Sequence, residues 1–307
     1  MRILFMGTPE ISAICLKQLV LDGHNVVCAV TGEDKPRGRK MLLTPTAVKQ
    51  TALELNIPVI TPKTLRTEEF MTQLRQIDPD LIAVVAYGKI LPPEVINYPR
   101  FGCVNLHVSL LPKYRGAAPM QRAIMDGETE TGVTVMQMDE GLDTGDIISC
   151  ERFPIEKHDD FESIHDKSAV IGAPLLSATI TDIFEGRARR IPQDTVNATY
   201  AKKIEKADAK IDFTKSAAEL DCIIRGVTPI PGAFAYLGEK MLKICKAEAV
   251  AGKGAPGEII SLDNGVITVA CGTGALAVSA VIPEGKSKMS AADFIRGRKI
   301  EKGDILK

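Results

Sequence analysis

The sequence predicts an α/β protein with a mostly parallel sheet covered by helices, followed by a small β-barrel domain. Short, fully apolar segments alternate with amphipathic ones over the first third of the chain, a pattern typical of parallel strands buried on both faces. Towards the C-terminus, short apolar runs alternate with glycine and proline instead, which favours a small barrel. A chain of 307 residues is long enough for two domains.

The elements of the first part follow from this alternation. Strands are predicted at 2–6, 25–31, 58–60, 81–86, 102–107, 131–138 and 147–155, and helices at 10–22, 46–55, 67–77 and 161–186. Thr44-Pro45 predicts a helix start, because a capping hydroxyl and then proline are common at that end. Pro174, near the middle of the long last helix, predicts a kink or a break.

The second part follows a basic, irregular stretch that reads as a linker. One helix is predicted at 216–226, and strands at 233–237, 242–249, 257–262, 265–271 and 275–281. We therefore expect a first domain over residues 1–189, a linker over 190–206 and a C-terminal domain over 207–307.

Composition excludes several classes of protein. Tryptophan is absent, which argues against a stacking platform for several bases, and no apolar run approaches the roughly 20 residues that span a membrane. The 7 cysteines are scattered without metal-ligand or disulfide spacing, so we expect core thiols and no metal site. The N-terminus MRILFMGTPE resembles no secretory or transit signal, and we expect a cytoplasmic protein.

Charge is divided unevenly along the chain. Residues 1–186 carry 18 Lys/Arg and 25 Asp/Glu, a net charge of −7, whereas residues 187–307 carry 20 and 14, a net charge of +6. A basic half is consistent with a polyanionic partner, although ordinary fluctuation of charge would look the same.

The strongest candidate site combines a strand end with a later loop. Side chains alternate across a strand, so Asn105, His107 and Ser109 should share one face. About thirty-five residues later, Asp143 lies in the loop Gly141–Asp146, where two glycines allow a sharp bend. An amide, an imidazole and a carboxylate could manage proton transfer at a carbonyl carbon. Asp139 and Asp146 are alternatives to Asp143.

Two further segments each have two interpretations. Ser109, Leu110, Leu111 and Pro112 form either a plain turn or backbone groups presented to a flat heteroaromatic ligand. The polar loop 31–46 is either a solvated surface or a phosphate-binding segment, with the basic residues Lys35, Arg37, Arg39 and Lys40. No GxGxxG follows the first strand, which argues against NAD or FAD.

Two motifs resemble those of a known family. The run Asn105–Pro112 (NLHVSLLP) with Gly141–Asp146 (GLDTGD) is similar to the signature of formyltransferases that use 10-formyltetrahydrofolate. Further matches along the chain resemble the branch of that family that formylates methionyl initiator tRNA. They are MGTPE at the start, VVAYGKILP at 84–92, YRGAAPMQRAI at 114–124, TGVTVMQMDEGLDTGDI at 131–147 and YAKKIEKADAKIDF at 200–213.

The resemblance implies a fold and a reaction. The fold would be a Rossmann-like catalytic domain followed by an OB-like, tRNA-binding barrel. A formyl group would pass from 10-formyltetrahydrofolate to the α-amino group of methionyl initiator tRNA, without a metal. Asn105 and His107 would stabilise the developing oxyanion, His107 would relay protons and Asp143 would orient it.

The resemblance also implies where the substrates bind. Ser109–Pro112 would line the folate site, and Lys35, Arg37, Arg39 and Lys40 would contact the tRNA. We expect a monomer. Two alternatives stay open: the same chemistry on a small acceptor such as an amino sugar, and a folate- or tRNA-binding protein without turnover.

Overall fold

The architecture comes from a computed structural model of the chain, which describes residues 1–37, 41–297 and 300–307 and, at Arg37, the backbone only. Up to residue 154 the strands are β1 (Arg2–Gly7), β2 (Asn25–Val30), β3 (Lys35–Arg37), β4 (Leu42–Thr44), β5 (Val59–Ile60), β6 (Leu81–Val85), β7 (Cys103–His107), β8 (Arg115–Gly116), β9 (Glu130–Gln137) and β10 (Ile147–Pro154). The helices up to residue 184 are α1 (Glu10–Leu21), α2 (Ala47–Glu54), α3 (Glu68–Ile77), α4 (Pro93–Ile96), α5 (Pro119–Met125) and α6 (Phe161–Phe184).

The remaining elements lie towards the C-terminus. They are β11 (Tyr200–Ala201), α7 (Ala217–Val227), β12 (Phe234–Leu237), β13 (Lys240–Val250), β14 (Ile259–Ser261), β15 (Ile267–Ala270), β16 (Ala275–Pro283), β17 (Met289–Ser290) and α8 (Ala291–Gly297). The chain divides into two compact units, of which the first comprises Met1–Gly116, Thr131–Phe153 and His165–Tyr200, and the second Ala117–Glu130, Pro154–Ile164 and Ala201–Lys307. The domain boundaries 1–189, 190–206 and 207–307 remain a proposal.

The first unit is built on a sheet of seven strands in the order β10-β9-β7-β6-β1-β2-β5. The pairs β1–β2, β1–β6, β2–β5 and β6–β7 are parallel, and β7–β9 is antiparallel. After β1 the chain adds β2 and β5 on one side of β1, and it then crosses to the other side of β1 to form β6. This Rossmann-like order confirms the predicted fold class and places a switch point between β1 and β6.

Both faces of this sheet are buried. In β1, Leu4 and Met6 pack into one apolar cluster with Phe70 of α3, while Ile3 and Phe5 are fully buried on the opposite face. The prediction of core thiols holds for Cys15, Cys28, Cys103 and Cys271, whereas Cys150 is exposed. Burial raises the pKa of the Cys15 thiol to about 12, so this side chain stays an apolar, protonated core group.

Three local predictions need correction. The segment 31–46 is not simply a loop, because β3 and β4 form an antiparallel hairpin within it. The cap of α2 is Thr46, whose hydroxyl accepts from the Lys49 N–H, so the predicted start at Thr44-Pro45 was two residues early. Helix α6 continues through Pro174, so of the two predicted effects, a kink or a break, the break is wrong. Pro174 is exposed, so its missing N–H falls on the solvent side.

The second unit contains an antiparallel sheet curled into a half barrel, in the order β12-β13-β16-β15-β14 with β17 on β16. Helix α7 starts with a capping box between Ser216 and Glu219 and packs its buried face against this sheet. The predicted small C-terminal barrel is thereby confirmed. Within the described residues, no helix is long and apolar enough to cross a membrane.

Candidate active site

His107 is the last residue of β7 and lies at the carboxyl end of the parallel sheet. The residue is buried, and its Nε2 lies 2.9 Å from the carbonyl oxygen of Tyr114. A carbonyl oxygen only accepts hydrogen bonds, so Nε2 must carry a proton in this contact. In the neutral ring, Nδ1 is therefore the nitrogen that can take up a proton.

Asp143 faces that nitrogen. Its Oδ2 lies 3.7 Å from Nδ1 of His107 and accepts a hydrogen bond of 2.8 Å from the Gly116 N–H. The side chains of His107 and Asp143 are 7% and 15% exposed, so their mutual attraction is weakly screened by solvent. The structure therefore brings together these two residues from distant parts of the sequence.

The loop around Asp143 is fixed by its own contacts. Oδ1 of Asp139 accepts from the Gly141 N–H and the Thr144 hydroxyl, at 3.0 and 2.7 Å. A side-chain carbon at Gly145 would collide with the carbonyl oxygen of Gln137. Gly145 thus allows the loop backbone to lie against the backbone of Gln137. The loop residue with a left-handed backbone conformation is Asp143, with φ of 53°.

Asn105 precedes His107 by two residues in β7, and the two side chains share one face of the strand. Asn105 is partly buried, and it pairs with Val84 of β6 and Met136 of β9. The strand thus places an amide, which can donate or accept a hydrogen bond, on the face that carries the imidazole.

The turn 109–112 is held from within. Ser109 is fully buried, its hydroxyl donates to the Lys113 carbonyl at 2.7 Å, and its carbonyl accepts from Thr134 Oγ1 at 2.7 Å. The Leu111 N–H donates to the same Thr134 hydroxyl at 3.3 Å. Leu110 is partly buried, and the Leu111–Pro112 peptide is cis. The three hydrogen bonds of Ser109 and Leu111 hold the backbone of the turn in place.

Two of the basic residues predicted to contact tRNA belong to strand β3. Lys35 is exposed on β3, and Arg37 ends that strand. Arg39 and Lys40 lie outside the described residues.

The switch point carries a polar group that the sequence analysis did not single out. The Thr8 hydroxyl donates to the Tyr87 carbonyl at 3.1 Å, joining the segments after β1 and β6. The Tyr87 hydroxyl is buried and has no hydrogen-bond partner in the described part of the chain, and burial raises its pKa to about 12. It is therefore a neutral donor that a polar ligand could satisfy. No group of three His, Cys, Asp or Glu side chains suited to a metal occurs among residues 1–37, 41–297 and 300–307.

Two other residues near Asp143 were also missed. Gln193 lies in the segment predicted as a linker, and its amide contacts the backbone of the aspartate loop. Arg115 was noted only within the motif that precedes α5, and its guanidinium binds Gln193. No sequence signal links them, because they are 78 residues apart.

Comparison with known proteins shows the family to which the chain belongs. A family model described as formyl transferase matches residues 1–180, and one described as formyl transferase, C-terminal domain, matches residues 203–299. The chain is 43% identical to the methionyl-tRNA formyltransferase of Citrifermentans bemidjiense, over 100% of this chain and 96% of that protein. The chain belongs to the methionyl-tRNA formyltransferase family. The methionyl-tRNA formyltransferase of Myxococcus xanthus is 45% identical, with 98% of this chain and 96% of that protein covered.

A solved structure supports the fold over most of the chain. It is the N-formyltransferase from Helicobacter canadensis in complex with folinic acid and dTDP-3-aminofucose, with a TM-score of 0.68 and 20% identity. The match covers 90% of this chain and 98% of that one. At this identity the likeness shows a shared formyltransferase fold, and the resemblance drawn from the sequence motifs is confirmed by the family match.

Proposed function

We propose that this protein transfers a formyl group from 10-formyltetrahydrofolate to the α-amino group of methionyl initiator tRNA, for translation initiation. The observation that carries the proposal is the pair of His107 and Asp143, 3.7 Å apart at the carboxyl end of β7. Support also comes from relatives named methionyl-tRNA formyltransferase that match this chain over its whole length.

His107 manages protons in this proposal. Because Nε2 is held by the Tyr114 carbonyl, Nδ1 takes the proton that the attacking amine loses and passes it towards the leaving nitrogen. The fixed ring orientation matters, since a proton acceptor must lie within hydrogen-bond reach of the proton it removes.

Asp143 and Asn105 support the charges that develop. The carboxylate of Asp143 stabilises the imidazolium that forms when Nδ1 is protonated, and the Gly116 N–H keeps Oδ2 in place. The Asn105 amide, on the face of β7 that carries His107, donates a hydrogen bond to the negative charge on the formyl oxygen.

The residues present are compatible with a folate. Bound 10-formyltetrahydrofolate would supply the electrophilic formyl carbon and a nitrogen leaving group. The turn Ser109–Pro112 would line the site with backbone groups in a fixed conformation, and the Tyr87 hydroxyl would offer a buried donor. No step of this proposal needs a metal.

The basic C-terminal part would hold the tRNA. Residues 187–307 carry a net charge of +6, and lysines on the half barrel such as Lys246, Lys286 and Lys288 are exposed. Lys35, Arg37, Arg39 and Lys40 would contact the acceptor end. We also propose that the protein is monomeric and cytoplasmic, which sedimentation and cell fractionation would test.

The test is a direct assay of acceptors. The purified protein is incubated with 10-formyltetrahydrofolate and, separately, methionyl initiator tRNA, methionyl elongator tRNA and an amino-sugar nucleotide. Formyl-methionyl-tRNA from the initiator alone is the expected result. Transfer to the sugar nucleotide would move the proposal to small acceptors, and folate binding without transfer to any amine would contradict an enzymatic role.

A further inference from the structure

A hydrogen-bonded chain of side chains leads from a buried arginine to the backbone of the Asp143 loop. Arg115 is 2% exposed, and its Nε and Nη2 donate to Oε1 of Gln193 at 3.0 and 2.7 Å. The Nε2 of Gln193 donates to the carbonyl oxygens of Asp143 and Gly145 at 2.9 and 2.7 Å. Both polar ends of one amide are therefore used.

We infer that Gln193, oriented by Arg115, is the positioning residue that aims the carboxylate of Asp143 at His107. This inference rests on the proposed function, since it concerns the same site. Asp143 adopts φ of 53°, a left-handed conformation that a residue with a side chain rarely takes unless its surroundings impose it. The two hydrogen bonds from Gln193 hold the loop backbone at Asp143 and at Gly145.

An amide at position 193 suits both of its hydrogen-bond partners. A guanidinium only donates and backbone carbonyls only accept, so the residue between them must accept on one side and donate on the other. A carboxylate would pair more strongly with Arg115 but would turn an oxygen towards the two loop carbonyls. The fork of Arg115 also decides which end of the Gln193 amide faces the loop.

The residue after Arg115 contacts the carboxylate directly. This residue is Gly116, whose N–H donates to Oδ2 of Asp143 at 2.8 Å. The backbone at the Asp143 loop and the carboxylate at its tip are thus both tied to the 115–116 segment. Loss of the Gln193 hydrogen bonds would free the Asp143 and Gly145 carbonyls, so the backbone that carries the carboxylate would be held less firmly at 3.7 Å from Nδ1.

The experiment compares Gln193→Glu and Gln193→Met with wild type in steady-state formylation of methionyl initiator tRNA. Gln193→Glu keeps an acceptor for Arg115 but loses the donor to the loop, and Gln193→Met loses both without adding charge. We expect kcat to fall about tenfold to a hundredfold, with KM for both substrates changed less than about threefold, because misplacement of a catalytic group affects the chemical step. Gln76→Glu, the same substitution at an exposed site on α3, should match wild type.

A double-mutant cycle separates positioning from general stability. If Gln193 acts through Asp143, adding Gln193→Glu to Asp143→Asn should change single-turnover transfer by less than about twofold. Equal losses in both backgrounds, or failure of both Gln193 variants to fold, would overturn the inference by assigning Gln193 a structural role. Wild-type rates in the Gln193 variants would also overturn it. Absence of transfer by the wild-type protein would instead refute the proposed function.

Discussion

The imidazole of His107 has different tasks at its two nitrogens. One nitrogen is bound to the Tyr114 carbonyl, and the other faces the carboxylate of Asp143. A histidine held in this way keeps a fixed orientation through a reaction, so the proton at Nδ1 has a defined direction of travel. Asn105, two residues earlier in β7, adds a neutral donor on the same strand face.

Asp143→Asn should lower kcat for formyl transfer by about 10²–10³-fold, because a neutral amide cannot stabilise the imidazolium although it can still accept from the Gly116 N–H. Steady-state kinetics with initiator tRNA would measure it. Asp139→Asn is the matched control, since its remaining carbonyl oxygen can still accept from Gly141 and Thr144. Equal losses in both variants would mean that the loop, and not the carboxylate of Asp143, is what matters.

At the scale of elements, an ion pair joins α5 to the segment that follows β11. Arg122 donates to Asp208 at 2.8 Å and to the carbonyls of Lys202 and Lys203. The hydrogen bond from the Glu205 N–H, and then the Arg122 contact, hold the pKa of Asp208 below its usual value. Asp208 therefore stabilises the fold while it is ionised.

Asp208→Asn should cost about 1 kcal/mol of the free energy of unfolding at pH 7. A carboxyl with a lowered folded-state pKa contributes stability above its unfolded pKa, and this contribution is lost as pH falls through the folded value. The difference between wild type and variant should thus be constant from pH 7 to pH 5 and shrink below about pH 4.

Urea unfolding at several pH values would measure this difference. Glu239→Gln removes a carboxylate from an exposed hairpin turn of the same unit and serves as control. A difference between wild type and Asp208→Asn that does not change with pH would show that the charge of Asp208 is not responsible.

Most elements were predictable from the sequence, because their signals are local. The apolar run of β6 and the Thr67 cap of α3 fall within two residues of their predicted places. The β3–β4 hairpin was not predictable, since its strands have three residues each and exposed leucines at 42 and 43. Its pairing follows from the path of the chain and not from an apolar pattern.

The candidate site was predictable only in part, for a related reason. Asn105 and His107 share a strand, so their alternation predicts a common face. Gln193 lies 50 residues from Asp143 in irregular chain, and a contact of that span leaves no periodic trace. The hydrogen bonds of Ser109 within its turn were likewise not predictable, because a serine is compatible with both a plain turn and a ligand-binding turn.

At the scale of the whole molecule, the uneven charge predicts how affinity for tRNA depends on salt. Each phosphate neutralised by a cation adds about −0.7 to −0.9 to the slope of log affinity against log salt. Lys286→Ala and Lys288→Ala, in the connection between β16 and β17, should each weaken binding and reduce that slope by about one.

Filter binding at several salt concentrations would measure the slope. Lys17→Ala, at an exposed position of α1, is the matched control and should leave it unchanged. A slope that is the same in all three variants would place the phosphate contacts elsewhere on the chain.

The most direct test of the account is the single-turnover rate of formyl transfer by His107→Ala, with tRNA affinity measured in parallel. Proton transfer through Nδ1 predicts a rate about 10²–10⁴-fold below wild type, with unchanged affinity for methionyl initiator tRNA. His158→Ala, at an exposed position, should match wild type in both measurements. Transfer by His107→Ala within about threefold of wild type would contradict the central role of the His107–Asp143 pair.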